Sequence, residues 1–276
     1  MKKLLVGVAI VVAGCADPVS VSGPHRLYQV SGEQIPTTSD QAKAYAIESD
    51  GVLLDGLGRA FAELTTQGFA DPQAATDQVL MASHLGFTID VQQPGGDQSP
   101  TPAAVNTYAG SAIAFDPSSP TQPALEGTAD HALVHAGPGD LMVVLAPFGT
   151  PLEVPLHDAR VQLIAGPEQL QAIITGGVAR GTIDDVLIPS WVPVLGEVVA
   201  RDCTAPTTAT CGCATDSPGA NAVQNFDANH DCTITADELV HSYWVQTFTT
   251  FEETIDGVQL LAFGFALDAT FVRTVP

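Results

Sequence analysis

Alternating apolar and polar residues dominate the chain, and these runs end at clusters of Gly, Pro and Asp. A period of two residues is typical of a β-strand with one buried face, and turn residues delimit such strands. Seven stretches fit this description: Leu85–Gln93, Val105–Phe115, Ala124–His135, Leu141–Phe148, Pro151–Leu156, Ala159–Ala165 and Val258–Val272. We therefore predict a mainly β protein of the α+β class, with a β-sandwich or barrel-like body.

The phase of the alternation changes within one of these regions. Apolar residues fall on even positions from Leu152 to Leu156 and on odd positions from Val161 to Leu163. A shift of one residue moves every side chain to the other face of a sheet, so an extra residue must be inserted between the two runs. We expect a bulge or tight corner at His157–Asp158.

Helices are fewer and lie between the predicted strands. We predict them at Asp55–Gln67, Pro72–His84, Pro167–Thr175 and in a segment that begins after Thr182. That last segment contains Pro189 and Pro193, and proline inside a helix removes a backbone donor and clashes with the preceding turn. The two prolines are therefore expected to divide the segment into short pieces.

Composition excludes one class of partner. The 276 residues are 45% hydrophobic, which is enough for a sizeable core, and only 14% are charged. Acidic residues number 31 against 9 basic ones, giving a formal net charge of −22. Nucleic-acid affinity comes mainly from Lys and Arg that displace counterions from phosphates. We expect no nucleic-acid partner.

The N-terminus has the pattern of an export signal. Met1–Lys3 is positively charged, and Leu4–Ala13 is an apolar run of ten residues. Ten residues are too few to cross a hydrocarbon layer of about 30 Å as a helix. Val12–Cys15 resembles the lipobox of bacterial lipoproteins, and the small residues before Cys15 favour it over an ordinary secretory signal. The resemblance implies removal of residues 1–14, lipidation of Cys15 and attachment to a membrane.

The residues after the lipobox indicate a tether. Residues 15–25 are rich in Pro, Ser and Gly, and about ten extended residues reach roughly 33 Å. The expected location is the bacterial cell envelope. Ala16, rather than Asp, follows the lipidated cysteine, and by resemblance to enteric sorting this favours the outer membrane, on its periplasmic or its surface-facing side.

Four cysteines remain once Cys15 is assigned to lipid: Cys203, Cys211, Cys213 and Cys232. An even number in an exported chain predicts two disulfides. A Cys211–Cys213 bridge would close a strained small ring, so one of these two pairs with Cys203 and the other with Cys232. A four-cysteine zinc site is the alternative, but its usual C-x-x-C spacing is absent.

The twelve residues Asp227–Glu238 resemble the calcium loop of EF-hands and dockerin-type repeats. Such a loop places side-chain oxygens at positions 1, 3, 5, 9 and 12 and a backbone carbonyl at position 7, because Ca²⁺ prefers six to eight oxygen ligands. The matching residues are Asp227, Asn229, Asp231, Thr235 and Glu238 for the side chains and Thr233 for the carbonyl. The cofactor expected here is one calcium ion.

The loop departs from the family pattern at position 6. Glycine is usual there because the backbone has positive φ, whereas this chain has Cys232, at an expected cost of about 1–2 kcal/mol. A disulfide to the 203–213 segment would offset that cost by fixing the loop. Ser217 followed by Pro218 predicts the N-cap and first residue of an entering helix, and Thr235 with Glu238 predicts a capping box on the leaving helix.

No catalytic residue is assigned. Asp130, His131 and His135 fall in a strand-like run, where residues four apart are about 13 Å apart. The nucleophile-elbow, zinc-protease, P-loop and dinucleotide-binding motifs are absent from the sequence. Trp191 and Trp244 could stack on sugars, but in a chain with two tryptophans we interpret them as packing residues.

The sequence thus predicts five segments. They are a signal peptide (1–14), the lipidated cysteine and tether (15–25), a β-rich body (26–202), a disulfide-braced EF-hand-like segment (203–247) and a C-terminal strand region that completes the body (248–276). The expected function is that of a calcium-binding, lipid-anchored envelope or surface protein, acting as a binding or structural module toward a protein or glycan. The alternatives are an envelope hydrolase with structural calcium and a calcium-dependent carbohydrate or adhesion module.

Overall fold

The structure is a computed structural model that describes residue 21 and residues 23–49, 52–82, 85–94, 99–114, 124–204, 211–249, 253–255 and 258–276. The predicted signal peptide, Cys15 and most of the tether lie outside these residues. Among the described helices, none has both the length and the apolar character needed to cross a membrane.

Eleven strands form within the described residues. They are β1 (His25–Gln34), β2 (Ile47–Ser49), β3 (Val52–Leu54), β4 (Phe87–Gln92), β5 (Thr101–Ala109), β6 (Leu125–Asp130), β7 (Leu133–Leu145), β8 (Leu152–Ala165), β9 (Gln169–Ala179), β10 (Glu253–Ile255) and β11 (Val258–Val275). The helices are α1 (Ser39–Ala44), α2 (Gly56–Gln67), α3 (Pro72–Met81), α4 (Arg180–Thr182), α5 (Ile188–Asp202), α6 (Pro218–Phe226), α7 (Ala236–His241) and α8 (Tyr243–Phe248).

The main sheet closes on itself. Its strand order is β1-β4-β5-β6-β7-β8-β9-β11, and β11 also pairs with β1, so these eight antiparallel strands form a ring. β10 adds to β11, and β2 and β3 form a separate hairpin. The predicted mainly β class is confirmed, and of the two predicted architectures the closed one is present.

A single hydrophobic core joins the closed sheet to the helices. On β9, for example, Leu170, Ala172 and Ile174 are buried while the intervening residues are exposed. α2 packs on β11, where the Phe61 and Phe263 rings meet edge to face at 5.8 Å. Burial of such aromatic pairs supplies packing energy beyond that of their area.

Two sequence predictions in this region are wrong. The stretch Pro167–Thr175 is not a helix, because most of it belongs to β9, whose alternating residues pair with β8 and β11. Ala124–His135 is not one strand, since β6 ends at Asp130 and a turn at His131, with φ of 55°, leads into β7. In both regions the secondary structure is determined by pairing between strands that are distant in the sequence. The local spacing of apolar residues does not predict this pairing.

The helix after Thr182 also differs from expectation. A π-helical turn at Ile183–Leu187 leads directly into α5, which continues through Pro193. Pro189 lies in the first turn of α5, where proline is tolerated. Burial of the Trp191 and Leu195 side chains holds the rest of α5 against the body despite Pro193.

The predicted irregularity at His157–Asp158 is confirmed. β8 is one strand of 14 residues, with a register shift between His157 and Arg160 against β9. Asp158 has φ of 50°, the left-handed conformation in which a non-glycine residue is uncommon. The bulge accounts for the change in the phase of apolar residues along this strand.

Candidate calcium site

The loop Asp227–Glu238 lies between α6 and α7, as the sequence predicts. Ser217 caps α6 by accepting a 3.1 Å hydrogen bond from the backbone N–H of Ala220, and Pro218 occupies the first turn. Phe226 before the loop and Leu239 after it are fully buried. These two side chains therefore anchor both ends of the loop in the core.

Asp227 folds the first half of the loop around its carboxylate. Oδ1 accepts from the backbone N–H of Asp231 at 3.1 Å, and Oδ2 accepts from that of Cys232 at 2.8 Å. The side chain is buried, with only 2% of the residue exposed. A buried carboxylate needs such donors, because burial of an unpaired charge is unfavourable.

Asn229 and Asp231 continue the same turn. Asn229 Oδ1 accepts from the Asp231 backbone N–H at 2.8 Å, and Asp231 Oδ1 accepts from that of Thr233, also at 2.8 Å. The Asn229 amide donates to Asp231 Oδ2 at 3.1 Å. The side chains at positions 3 and 5 are thus neighbours at the exposed side of the loop.

Glu238 closes the loop from its far end. Oε1 accepts from the backbone N–H groups of Ala228 and Asn229 at 3.2 and 3.3 Å, ten and nine residues away. Oε2 accepts from the backbone N–H and hydroxyl of Thr235, and the predicted capping box is present. The carboxylate that would bind calcium is therefore engaged by backbone and cap donors, which an ion must replace.

The backbone has the expected conformation at position 6. Cys232 has φ of 67°, and His230 has φ of 61°. Both values lie in the left-handed region, which glycine adopts most readily. The Cys232 side chain is held there by a covalent bond to Cys211.

Two disulfides brace the segment, and they decide the pairing that the sequence left open. Cys203 bonds Cys213, and Cys211 bonds Cys232. Each of the four sulfurs is part of a disulfide, so the alternative four-cysteine zinc site does not form in this structure. Cys211 Sγ also lies 3.8 Å from Asp227 Oδ2, which places the second bridge directly against the first predicted ligand.

A side chain that sequence reasoning missed joins the loop to the body. Asp202, the last residue of α5, accepts a 2.8 Å hydrogen bond from the Gly219 backbone N–H near the start of α6. Hydrogen bonding from the Arg201 guanidinium, followed by this backbone bond, lowers the Asp202 pKa to about 2. The contact depends on the α5–α6 packing angle, so no sequence spacing signals it.

Aromatic rings connect the loop to both tryptophans. The Phe226 ring lies 5.3 Å from that of Trp191 and 5.9 Å from that of Trp244. Phe69, which follows α2, lies 5.3 Å from Phe226. Trp191 is buried and Trp244 is partly buried, so the interpretation of both as packing residues is confirmed.

Among the described residues, Asp130, His131 and His135 do not come together as a group of metal-ligating side chains. His131 Nε2 lies 3.9 Å from Asp130 Oδ1, and both side chains are largely exposed in the β6–β7 turn. Within the described residues, one group of three metal-ligating side chains comes close together, namely Cys211, Asp227 and Cys232. Its two sulfurs are bonded to each other, so Asp227 is the one carboxylate that it offers.

Two buried acidic groups outside the loop were not anticipated. Glu33 on β1 is 2% exposed, and burial raises the pKa of its carboxyl group to about 8. Asp90 on β4 lies 2.7 Å from His25 Nδ1, and burial raises its pKa although the histidine bond opposes this. Neither group could be found from the sequence, because each is a single acidic residue within a strand.

Comparison with known proteins gives no match: no family model, no curated protein and no solved structure is significantly similar to this chain.

Proposed function

We propose that the protein is a calcium-binding, lipid-anchored component of the bacterial cell envelope that acts as a binding or structural module. The observation that carries the calcium assignment is the closure of Asp227–Glu238 by its own acidic side chains. Asp227 folds the first half of the loop, and Glu238 reaches back to Ala228 and Asn229. Carboxylates at positions 1, 5 and 12 supply the charge that a hard divalent cation requires.

The residues that would hold the ion are those of the motif. They are Asp227, Asn229, Asp231, Thr235 and Glu238 through side-chain oxygens and Thr233 through its carbonyl. When bound, calcium would neutralise the carboxylates and tie α6 to α7. The loop has no second EF-hand beside it in the sequence, so we expect a dissociation constant of about 10⁻⁵–10⁻³ M.

The membrane assignment rests on the lipobox. Val12–Cys15 supports lipidation of Cys15, and the residues up to His25 supply the tether, with the outer membrane as the proposed location. The full chain has a formal net charge of −22, and loss of Lys2 and Lys3 with the signal peptide would leave 7 basic and 31 acidic residues, a charge of −24. A body with this charge would be repelled by anionic lipid faces. The tether would then keep the folded body away from the bilayer.

The test of the calcium assignment is thermal unfolding of the purified, lipidated protein in detergent with and without Ca²⁺. At a hundred times the dissociation constant, calcium should add about 2.7 kcal/mol to the free energy of unfolding. Glu238→Gln should abolish most of that gain, because a neutral amide cannot provide anionic bidentate coordination. The matched control is Asp237→Asn, which removes an adjacent exposed carboxylate that is not a predicted ligand.

The control separates a defined site from diffuse attraction. If calcium binds through Asp227–Glu238, Asp237→Asn should retain the full shift in melting temperature. Equal shifts in the wild type, Glu238→Gln and Asp237→Asn would show that the ion binds the acidic surface as a whole.

A further inference from the structure

An open groove lies on the outer face of the closed sheet, away from the calcium loop. Its volume is about 640 Å³, and a smaller depression of about 310 Å³ shares the lining residues Gln162 and Ile173 with it. Small-molecule sites in proteins typically measure about 300–1,000 Å³. The larger of the two, which we call the sheet groove, therefore has the size of a ligand site.

A cross-strand row on the outer face of the sheet builds the floor. One outward-facing residue from each of six consecutive strands lies in this row, in the order Thr128, His135, Gln162, Ile173, Ala266 and Gln34. The first four line the sheet groove, and the last two line the smaller depression. Their neighbours along β8, Val161 and Leu163, point into the core and are buried. Because the core fixes the strands, the exposed row is held on a rigid surface.

The chain that follows α1 forms one wall. Tyr45 lies across Gly264 of β11, and any β-carbon at Gly264 would collide with the Tyr45 carbonyl. The Tyr45 hydroxyl donates a 2.8 Å hydrogen bond to Gln34 Oε1. Glycine at position 264 therefore permits the Tyr45 backbone to contact β11. This contact places a wall beside the sheet face and so forms the groove.

The bulge in β8 adds a polar pair at the other side. The carboxylate of Asp158, whose φ is 50°, lies 3.1 Å from the guanidinium of Arg160, which lines the groove. About half of the Arg160 side chain and a quarter of the Asp158 side chain are exposed. The pair is neutral overall. Asp158 does not itself line the groove, so its carboxylate orients Arg160, whose N–H groups are the donors on this side.

The charge of the groove differs from that of the chain. The chain has 31 acidic residues, yet among the described residues no Asp or Glu lines the sheet groove, and Asp158 is linked to it only through its ion pair with Arg160. Its polar lining consists of hydroxyl, amide and imidazole groups together with Arg160. Within the described structure, the side chains of His135 and Gln162 make no hydrogen bond, so both are free to bind a ligand.

These features favour a ligand with many uncharged hydroxyl groups. Glutamine amides donate and accept, and the Arg160 guanidinium, whose charge is balanced by Asp158, can donate to hydroxyl oxygens. Anionic ligands would meet the negative field of the rest of the protein. A protein partner usually needs buried aromatic or arginine anchors, whereas the large exposed apolar residues of this face are Ile164 and Ile173.

We propose that the sheet groove binds a segment of neutral polysaccharide, with Gln162, His135 and Arg160 as its polar contacts and Ile173 as an apolar one, and with Asp158 positioning Arg160. This inference rests on the proposed role as an envelope binding module, but it does not depend on calcium or on the loop Asp227–Glu238. The site would be the same in the presence of EGTA.

The test is affinity electrophoresis of the full chain through native gels that contain dextran, mannan or xylan, with polygalacturonate as an acidic comparison. We expect retardation by at least one neutral polysaccharide, unchanged by EGTA. Gln162→Ala and Arg160→Ala should each weaken it at least fivefold. Gln169→Ala, which removes an exposed amide on β9 outside the groove, should leave it unchanged.

Three results would overturn the proposal. They are no retardation by any neutral polysaccharide, equal retardation of Gln162→Ala and wild type, and retardation confined to polygalacturonate. Unchanged melting temperatures of the variants are required as a folding control, and Asp158→Asn provides a second variant if Arg160→Ala is unstable. Because the calcium assay uses Glu238→Gln, failure of one assignment leaves the other measurable.

Discussion

The backbone N–H of Cys232 donates a 2.8 Å hydrogen bond to Oδ2 of Asp227. The residue that carries the disulfide of the loop therefore also orients its first acidic side chain. The bond requires Cys232 to keep φ of 67°, a conformation that non-glycine residues rarely adopt without a constraint. The Cys211–Cys232 bridge supplies that constraint.

A pair of double variants tests this dependence. Cys211→Ser with Cys232→Gly and Cys211→Ser with Cys232→Ala both lose the disulfide, which should cost about 3 kcal/mol of stability. Glycine adopts the left-handed conformation freely, whereas alanine pays about 1–2 kcal/mol for it. Calcium titrations followed by melting temperature should give near wild-type affinity for the glycine variant and about tenfold weaker binding for the alanine variant. Identical affinities would show that the backbone at position 6 does not govern the site.

Glu33 predicts a pH dependence of stability. Neither of its carboxylate oxygens has a hydrogen-bond partner in the structure, and burial raises its pKa to about 8 from an ordinary value of 4.5. The folded protein therefore holds the proton more tightly than the unfolded chain does. The contribution of Glu33 to the free energy of unfolding is therefore greatest below pH 4.5, and it falls as the pH rises toward 8.

Replacement of Glu33 isolates that effect. Glu33→Gln cannot ionise, so the free energy of unfolding of the variant relative to wild type should rise between pH 4.5 and 8, by on the order of 4 kcal/mol. Urea unfolding at several pH values measures the difference. The exposed Glu153→Gln serves as control and should run parallel to wild type. If the free energy of unfolding of Glu33→Gln also ran parallel to that of the wild type across this pH range, the Glu33 carboxyl group would have an ordinary pKa.

Tryptophan fluorescence should report calcium binding. Phe226 directly precedes Asp227, and its ring contacts those of Trp191 and Trp244, the two tryptophans of the chain. An ion that changes the loop should therefore alter the emission in the wild type but not in Glu238→Gln. Trp244→Phe and Trp191→Phe would assign the change to one ring. If the emission of Glu238→Gln still changed with calcium, the change would not come from an ion in the loop Asp227–Glu238.

The proposed lipid anchor makes a separate prediction. Cys15→Ser removes the thiol that the lipobox requires, so the variant should leave the membrane fraction or accumulate as an unprocessed precursor. Fractionation with mass spectrometry of the wild-type N-terminus tests this. An unchanged mass and distribution in the variant would rule out lipidation at this position.

The conformation of the loop Asp227–Glu238 could be predicted because its pattern is local. Twelve consecutive residues contain all the proposed ligands, and the capping box and the entering helix follow from neighbours within a few positions. The disulfide pairing could not be predicted fully, because Cys211 and Cys213 are separated by one residue. Their orientation depends on how the segment folds back on α5 and on the loop.

The sheet shows where local spacing is insufficient. In β9, the apolar residues Leu170, Ile173 and Ile174 fit a helical face as well as a strand, and only pairing with β8 and β11 selects the strand. β1 was not predicted, because two register shifts interrupt its alternation. The floor of the sheet groove needs the register of four strands, β6 to β9, whose lining residues range from Gly127 to Thr175, and no local pattern contains this register.

The pairing that closes the ring also determines when the fold can be completed. His25 at the start of β1 pairs with Val275 at the end of β11, so the first strand of the sheet acquires its second neighbour only when the last one has been synthesised. Contacts between such distant residues form slowly, since the loop between them must close first. An exported chain with this topology would stay open throughout its passage across a membrane, and a truncation within β11 would leave β1 with an unpaired edge able to pair with other chains.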